Sequence, residues 1–283
     1  MNRKRFIKKI LYSGAAAAFT GGLYSWQIEP FWLEFVHQKM AIKNLPKDLA
    51  GKTLMQISDL HVGDRFDRKY LMDALDKAKK YQPDIVVYTG DFVSYESAKQ
   101  FKQLAEVFEH VVYGKLATVG ILGNHDYGKN WSESNVADKI VQILTDSGIT
   151  MLRNETQEVH GLYIIGVDDY WGTNFNPYKL LKDIDHSKAN LVLCHNPDMA
   201  DEPIWGDYSS WILSGHTHGG QCKPPFLDPP VLPVKNRNYT SGQFELSGGR
   251  TLYINRALGH SWQVRFNVRP EITVFTLGSE MAT

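Results

Sequence analysis

From Gly51 onward, apolar runs and polar stretches alternate along the chain at short, regular intervals. Lys52–Ser58 is an apolar run that stops at Asp59. Ile85–Thr89 is β-branched, carries no charge and is followed by Gly90-Asp91, and Ala117–Leu122 runs into Gly123-Asn124-His125-Asp126. Short runs without polar alternation predict strands buried on both faces. Between them, Arg68–Tyr81 (ended by Pro83), Ser97–His110 and Ser134–Asp146 read as helices, and Met151-Leu152 follows the last of these. The second half reads mostly as strands, over Leu162–Val167, Leu191–His195, Trp211–Ser214, Gln243–Leu246, Thr251–Asn255 and Glu271–Leu277. Gly-, Pro- and Asn-rich connections separate them, notably Lys223 to Asn238. The pattern predicts an α/β domain of two facing sheets with helices outside. The polar residues gather at the carboxyl ends of the strands, where α/β folds bind ligands.

The first 45 residues follow another pattern. Arg3–Lys9 (RKRFIKK) holds five cations and no acid, and a weakly apolar Ala- and Gly-rich stretch runs from Ile10 to Trp26. That is the order of a charged n-region and an apolar h-region. RKRFIK is similar to a twin-arginine export motif with Lys4 in place of the second arginine. An uncleaved anchor fits as well as a removed signal, and Gly14, Gly21 and Gly22 make the run a marginal spanning helix. After Pro30, the spacing of Phe31, Trp32, Phe35, Val36, Met40 and Ile42 predicts an amphipathic helix on a membrane surface, or an element packed on the main domain. The expected division is a membrane-targeting or anchor segment over 1–45 and the main domain over 46–283.

Composition narrows the function little. Thirty-one basic residues balance thirty-one acidic ones. With no basic stripe in view, nucleic acid is not the expected partner. Cys194 and Cys222 are the two cysteines and lie in no paired spacing, so neither a disulfide framework nor a cysteine zinc site is expected.

The chemistry is carried by Asp59-Leu60-His61, Gly90-Asp91, Gly123-Asn124-His125-Asp126, His195 and Gly215-His216-Thr217-His218. Residues one apart on an extended strand end share a side, which pairs Asp59 with His61 and His216 with His218. Taken singly each piece is weak, since a D-x-H is more often surface polarity. Their combination, each piece following an apolar run, points to one metal site. Carboxylate oxygen with imidazole nitrogen suits Mn, Fe or Zn. The donors outnumber the places on one tetrahedral ion, which calls for two divalent ions sharing a carboxylate.

In this order the motifs D-x-H, G-D, G-N-H-D, H and G-H-x-H resemble those of the calcineurin-like metallophosphoesterases. HNPD (His195–Asp198), GHTHGGQ (Gly215–Gln221) and RFNVRPEIT (Arg265–Thr273) look like the YaeI and YkuE branch of bacterial phosphodiesterases. The resemblance implies a four-layer αββα sandwich of two mixed sheets and a phosphodiesterase mechanism in which a metal-activated hydroxide attacks phosphorus. It implies one ion on Asp59, His61, Asp91 and His218, and a second on Asp91, Asn124, His195 and His216. His125 would face the phosphate as a catalytic residue, with Asp126 orienting it.

Weaker candidates are Asp64 near His61, Asp168-Asp169 and Tyr170-Trp171 beside the cleft, and Arg153, Arg237, Arg256 and Arg265 as phosphate forks. The other histidines, His37, His110, His160, His186 and His260, read as structural. For substrate, a basic N-terminus beside a phosphoesterase points to a lipid-linked or envelope phosphoester and a membrane-surface partner at the bacterial inner membrane. The branch resemblance extends to hydrolysis of UDP-2,3-diacylglucosamine in lipid A synthesis, which requires a cytoplasmic active site, whereas true twin-arginine export would make it periplasmic. A nuclease or nucleotide phosphodiesterase would use the same metals. A non-catalytic scaffold would be expected to lose His125 or a ligand, and all are present.

Overall fold

The computed structural model describes residues 3–279. Two six-stranded mixed sheets face each other. The first runs in the order β1 (Glu34–Ile42), β12 (Glu271–Ser279), β2 (Thr53–Ile57), β3 (Ile85–Thr89), β4 (Ala117–Ile121) and β5 (Thr150–Met151). The second runs β10 (Gly242–Glu245), β11 (Thr251–Ile254), β9 (Trp211–Ser214), β8 (Ala189–Leu193), β7 (Leu162–Gly166) and β6 (Glu155–Val159). β2 to β5 are parallel, as are β7, β8, β9 and β11, so each sheet sends several carboxyl ends to one edge.

Strands buried on both faces explain the apolar runs. In β3, Ile85 and Val87 point into the core between the sheets with Leu54, Leu191 and Leu213. Val86 and Tyr88, of opposite parity, pack outward under the helices. Those helices are α2 (Arg68–Lys79), α3 (Lys99–Phe108) and α4 (Ser134–Asp146), each burying one stripe. The outer face of the second sheet is covered differently. There Ile165, Val192, Ile212 and Leu252 pack beneath the single turn of α5 (Tyr178–Lys182) and irregular chain carrying Met199, Trp205, Tyr208 and Tyr239. The expected helical layer on that side is therefore mostly loop.

The stretch after Pro30 takes the second of its two expected forms, an element packed on the main domain, and not the amphipathic helix: Glu34–Ile42 is a nine-residue strand, pairing in parallel with β12 from Glu34↔Glu271 to Ile42↔Ser279. Met40 and Ile42, two apart, are buried in the intersheet core. Local spacing reads as helical, but the partner strand lies far along the chain and its hydrogen-bond ladder decides the conformation. The compact body accordingly begins ahead of Glu34 rather than at residue 46. Glu29, buried, accepts a hydrogen bond from the Val268 N–H, and Pro30 O lies 3.0 Å from His260 Nε2.

The preceding segment is one helix, α1 (Arg3–Gln27). It stands exposed from Ile7 to Thr20 and touches the body through Tyr24, Ser25 and Trp26. Among the described residues, no helix is long and apolar enough to cross a membrane.

Candidate metal centre

Five of the seven expected ligands sit where a strand ends and the chain turns sharply. Asp59, His61, Asp91, His216 and His218 have φ of 53°, 49°, 53°, 70° and 51°. Non-glycine residues seldom adopt this left-handed region, and each costs of order 1–3 kcal/mol, so strain concentrated in one place marks a site that the surrounding fold holds in shape. Neighbouring glycines make room for the carboxylates. A Cβ on Gly123 would lie 2.3 Å from Asp91 Oδ1, and one on Gly215 would lie 2.2 Å from Asp59 Oδ2. The G-D, G-N-H-D and G-H-x-H glycines are thus read from close approach rather than from chain freedom alone.

The structure brings all seven side chains together and buries them. Three groups of possible donors converge: Asp59, His61 and His218; Asp91, His195 and His216; and His61, Asp91 and His125. Asp91 Oδ2 lies 3.2 Å from His195 Nε2 and 3.5 Å from His61 Nε2. Asp59 Oδ1 lies 3.2 Å from His218 Nε2, and the His61 and His218 Nε2 atoms are 2.9 Å apart. Asp91 belongs to two of the groups and sits between them.

The far side of several rings is fixed by an oxygen. His195 Nδ1 donates to the Thr89 carbonyl at 2.7 Å, and His216 Nε2 donates to the Pro233 carbonyl at 2.8 Å. A carbonyl only accepts, so each ring carries its proton there and offers its other nitrogen as a lone pair. His61 Nδ1 lies 3.0 Å from Ser94 Oγ. Asp59 accepts the His216 N–H at 3.1 Å, and Asp91 Oδ1 accepts the His125 N–H at 2.8 Å. These supporting groups escaped the sequence reading. Backbone carbonyls at Thr89 and Pro233 leave no residue-type signal, and Ser94 stands outside every motif.

Lone pairs left facing one another are the test of whether a cation fits. His195 Nε2 and Asn124 Oδ1 are buried without hydrogen-bond partners, beside two carboxylates. Uncompensated buried polar atoms are costly, and carboxylate and amide oxygens converging with imidazole nitrogens are what a divalent ion satisfies. The electrostatics agree. Burial would raise the Asp59 carboxyl, but the His195 and His218 rings hold it down to about 2. Burial opposes the Asp91 carboxylate too, yet His195 and His125 keep it well below the usual range. Burial pushes His61 down, and burial with His195 pushes His216 down to about 3, so both stay neutral. His195 is the exception: Asp91 and Asp59 outweigh burial and pull it well above its usual value, so in the metal-free protein Nε2 also holds a proton, which an ion would displace.

His125 is half-buried, with its ring edge-on to His61 at a centroid distance of 4.9 Å, and it lines the same cleft. Asp126 does not orient it. Asp126 Oδ1 accepts the Phe92 and Val93 N–H groups at 2.9 and 3.2 Å, and Oδ2 accepts the Gly123 N–H at 2.9 Å. Its carboxylate staples the turn after β4 to the turn after β3 and makes no hydrogen bond to the His125 ring.

The weaker candidates sort themselves. Asp64 pairs with Lys99 at 2.8 Å and Gln103 at 2.8 Å, away from His61. Arg153 binds Asp168 and Asp138, Arg256 binds Glu271 and Glu34, and Arg237 reaches the Pro229 carbonyl. Buried Arg265 meets His260 and four backbone carbonyls. None of these arginines faces the cleft. Trp171 does, with its edge on His216 at 4.6 Å and its face stacked on Trp131 at 4.7 Å.

The cleft above the cluster is about 670 Å³. His61, Asp91, Asn124, His125, His216 and His218 form its polar part. Trp131, Trp171, Pro230, Val231, Trp262 and Val264 form apolar walls.

Comparison with known proteins gives the same picture. Residues 52–220 match the calcineurin-like phosphoesterases. The chain is 30% identical to the uncharacterized metallophosphoesterase YkuE of Bacillus subtilis, over 99% of this chain and 98% of that protein. It is 28% identical to the phosphodiesterase YaeI of Escherichia coli, over 98% and 99% of the two chains. It is also 28% identical to the UDP-2,3-diacylglucosamine pyrophosphatase LpxG of Chlamydia trachomatis, over 81% and 85%.

Proposed function

Because the chain belongs to the calcineurin-like phosphoesterase family and is a metal-dependent phosphoester hydrolase, we propose that it cleaves the phosphodiester or pyrophosphate bond of a lipid-linked substrate at a bacterial inner membrane. The observation that carries the reading is the cleft itself: donor side chains at one part of it and Trp131, Trp171, Val231 and Trp262 around the rest. A polar phosphoester with an apolar substituent matches both. The similarity to LpxG, named for hydrolysis of such a molecule, supports the same class. UDP-2,3-diacylglucosamine is the specific candidate.

Asp59, His61, Asp91 and His218 would hold one ion, and Asp91, Asn124, His195 and His216 the other, with Asp91 shared. Mn, Fe or Zn suits these donors. Two divalent ions in place supply Lewis-acid polarisation of the phosphoryl group and a water acidic enough to attack phosphorus near neutral pH. The chain's own share is orientation, proton supply and exclusion of water. Thr89, Pro233 and Ser94 fix the rings of His195, His216 and His61 before anything binds, so little reorganisation is left to the reaction. His125, on the cleft wall beside His61, stabilises charge on the phosphoryl oxygens or gives a proton to the departing oxygen. The apolar walls take the acyl part and keep bulk water out.

The test is direct. Purified protein with added Mn is offered bis(p-nitrophenyl) phosphate and a panel of acyl-bearing and acyl-free phosphoesters. Release of UMP and 2,3-diacylglucosamine 1-phosphate from UDP-2,3-diacylglucosamine is the expected result. Turnover confined to acyl-free nucleotides would instead favour a nucleotide phosphodiesterase, for which the stacked Trp131 and Trp171 offer a planar face to a base. The side of the membrane is a separate matter. Lipid A chemistry places the site in the cytoplasm, and a periplasmic reporter fused after Thr283 that becomes active would remove that substrate.

A further inference from the structure

The apolar wall of the cleft does not stop at its mouth. Val231 and Trp262, which line it, are 72% and 69% exposed. On the loop that brings Val231 to the cleft, Phe226 is fully exposed and Leu227 is 64% exposed. On the other side, the segment carrying Trp262 and Val264 is the seat of α1. Gln263 Nε2 donates to the Trp26 carbonyl at 3.1 Å, the Arg265 N–H donates to Ser25 O at 2.9 Å, and Tyr24 sets its ring edge against Phe266. Leu23, Trp26 and Ile28 are exposed at that junction, as are Ile10, Leu11 and Phe19 further out. The mouth of the cleft and the foot of the helix thus form one neighbourhood.

Single exposed apolar side chains are ordinary, but a group of them flanking a cleft marks a binding surface. Charge says what it binds. In a chain with no net formal charge, α1 carries five cations between Arg3 and Lys9 and no acid along its whole length. A surface that is apolar near the cleft and cationic further out complements the interior and phosphate layers of an anionic bilayer, with tryptophan at the interface between them.

We propose that the Phe226–Val231 loop, Trp262 and α1 dock together on an anionic phospholipid bilayer, so that the metal cleft opens directly onto lipid. A lipid-linked phosphoester then reaches the cluster without leaving the membrane, its apolar part sliding along Trp262 and Val231. Use of the surface in catalysis rests on the substrate reading above; its binding to a bilayer does not.

The experiment uses the full chain with Cys222→Ser, labelled with an environment-sensitive nitrobenzoxadiazole dye at Phe226→Cys. The control is Lys80→Cys, at the end of α2 and beyond the opposite edge of β3. Vesicles of phosphatidylglycerol and phosphatidylcholine should shift the dye at 226 to the blue, and lipids brominated in the chain should quench it. The dye at 80 should not respond, and vesicles of phosphatidylcholine alone should act weakly. Lys8→Glu with Lys9→Glu should lower vesicle affinity tenfold or more at low salt. Co-sedimentation of the protein without any change at 226 would overturn the proposal, since α1 alone would then be the contact. A shift at 226 that follows protein concentration without lipid would overturn it in favour of a second copy of the chain.

An activity arm separates the two readings. Phe226→Ser with Leu227→Ser should lower turnover of an acyl-bearing phosphoester in vesicles several-fold and leave bis(p-nitrophenyl) phosphate hydrolysis unchanged. If no acyl-bearing phosphoester is cleaved while the dye at 226 still responds, docking stands and the substrate reading falls. If acyl-bearing substrate is cleaved equally well by the double variant, docking of this loop is wrong and the substrate reading stands.

Discussion

The backbone N–H of His125 donates to Asp91 Oδ1 at 2.8 Å, so the carboxylate shared by two donor groups is aimed by the main chain of the residue whose ring faces the cleft. Side chain and backbone of His125 therefore serve separate ends, and substitutions separate them. His125→Ala removes the ring but keeps the N–H. It should retain its metal by elemental analysis while kcat on bis(p-nitrophenyl) phosphate falls by roughly 10²–10⁴-fold.

Asp91→Asn keeps an oxygen for that N–H and removes the charge. Metal content and activity should fall together, because the carboxylate is the charge common to both groups. Asp91→Ala should do the same with a larger loss of stability. An Asp91→Asn protein with full metal and full turnover would show that the ions, if bound, lie elsewhere.

Asp126 provides a contrast. Its two oxygens accept three backbone N–H groups, and an asparagine has one oxygen to offer. Asp126→Asn should cost about 2–4 kcal/mol in urea melts, through buried donors left without acceptors. The pH dependence of the remaining turnover should keep its shape. A displaced limb in that profile would return Asp126 to a role in setting the ionisation of His125.

Ser94 is the plainest of the supporting groups. Its hydroxyl lies 3.0 Å from His61 Nδ1 and is the oxygen that orients that ring. Ser94→Ala should weaken metal affinity about 10–100-fold, the range seen when such a partner is removed. Titration of the apo-protein with Mn, followed by activity, measures it. Unchanged affinity would mean the ring is held by packing alone.

How much of this was legible in the sequence follows from the range of each interaction. The seven donor residues follow buried strands, and their short spacings survive as motifs because each segment folds locally. The strand ends themselves are visible for the same reason: β3 is Ile85–Thr89 and β9 is Trp211–Ser214, as the apolar runs predict. What was not legible is held by partners distant in sequence. β1 exists because β12 lies beside it. The Pro233 carbonyl reaches His216 because Asp198 accepts the Lys235 and Asn236 N–H groups at 2.7 and 3.0 Å and fixes that loop. Asp126 was misread for a related reason. Its neighbour in sequence is His125, but two of its three hydrogen-bond partners come from the turn after another strand.

Asp169 yields the last prediction, which concerns the metal-free protein. Its Oδ1 accepts the Trp171 N–H at 2.8 Å, while Oδ2 is buried with no partner. Burial raises the carboxyl to about 7, so the folded protein keeps a proton that the unfolded chain gives up near pH 4. The folded state then binds more protons than the unfolded state between these values. Its stability is full below about pH 4 and is lost as pH rises through 7. Asp169→Asn preserves the Oδ1 acceptor and is neutral at every pH, so it removes the loss. In chelator-treated protein, urea melts at pH 5 and pH 8 should show the variant gaining on the wild type by a few kcal/mol at the higher pH. Added divalent metal should shrink that gap, because cations beside Asp91 and His195 favour the Asp169 carboxylate. A difference that does not change between the two pH values would mean that Asp169 is already ionised in the folded protein.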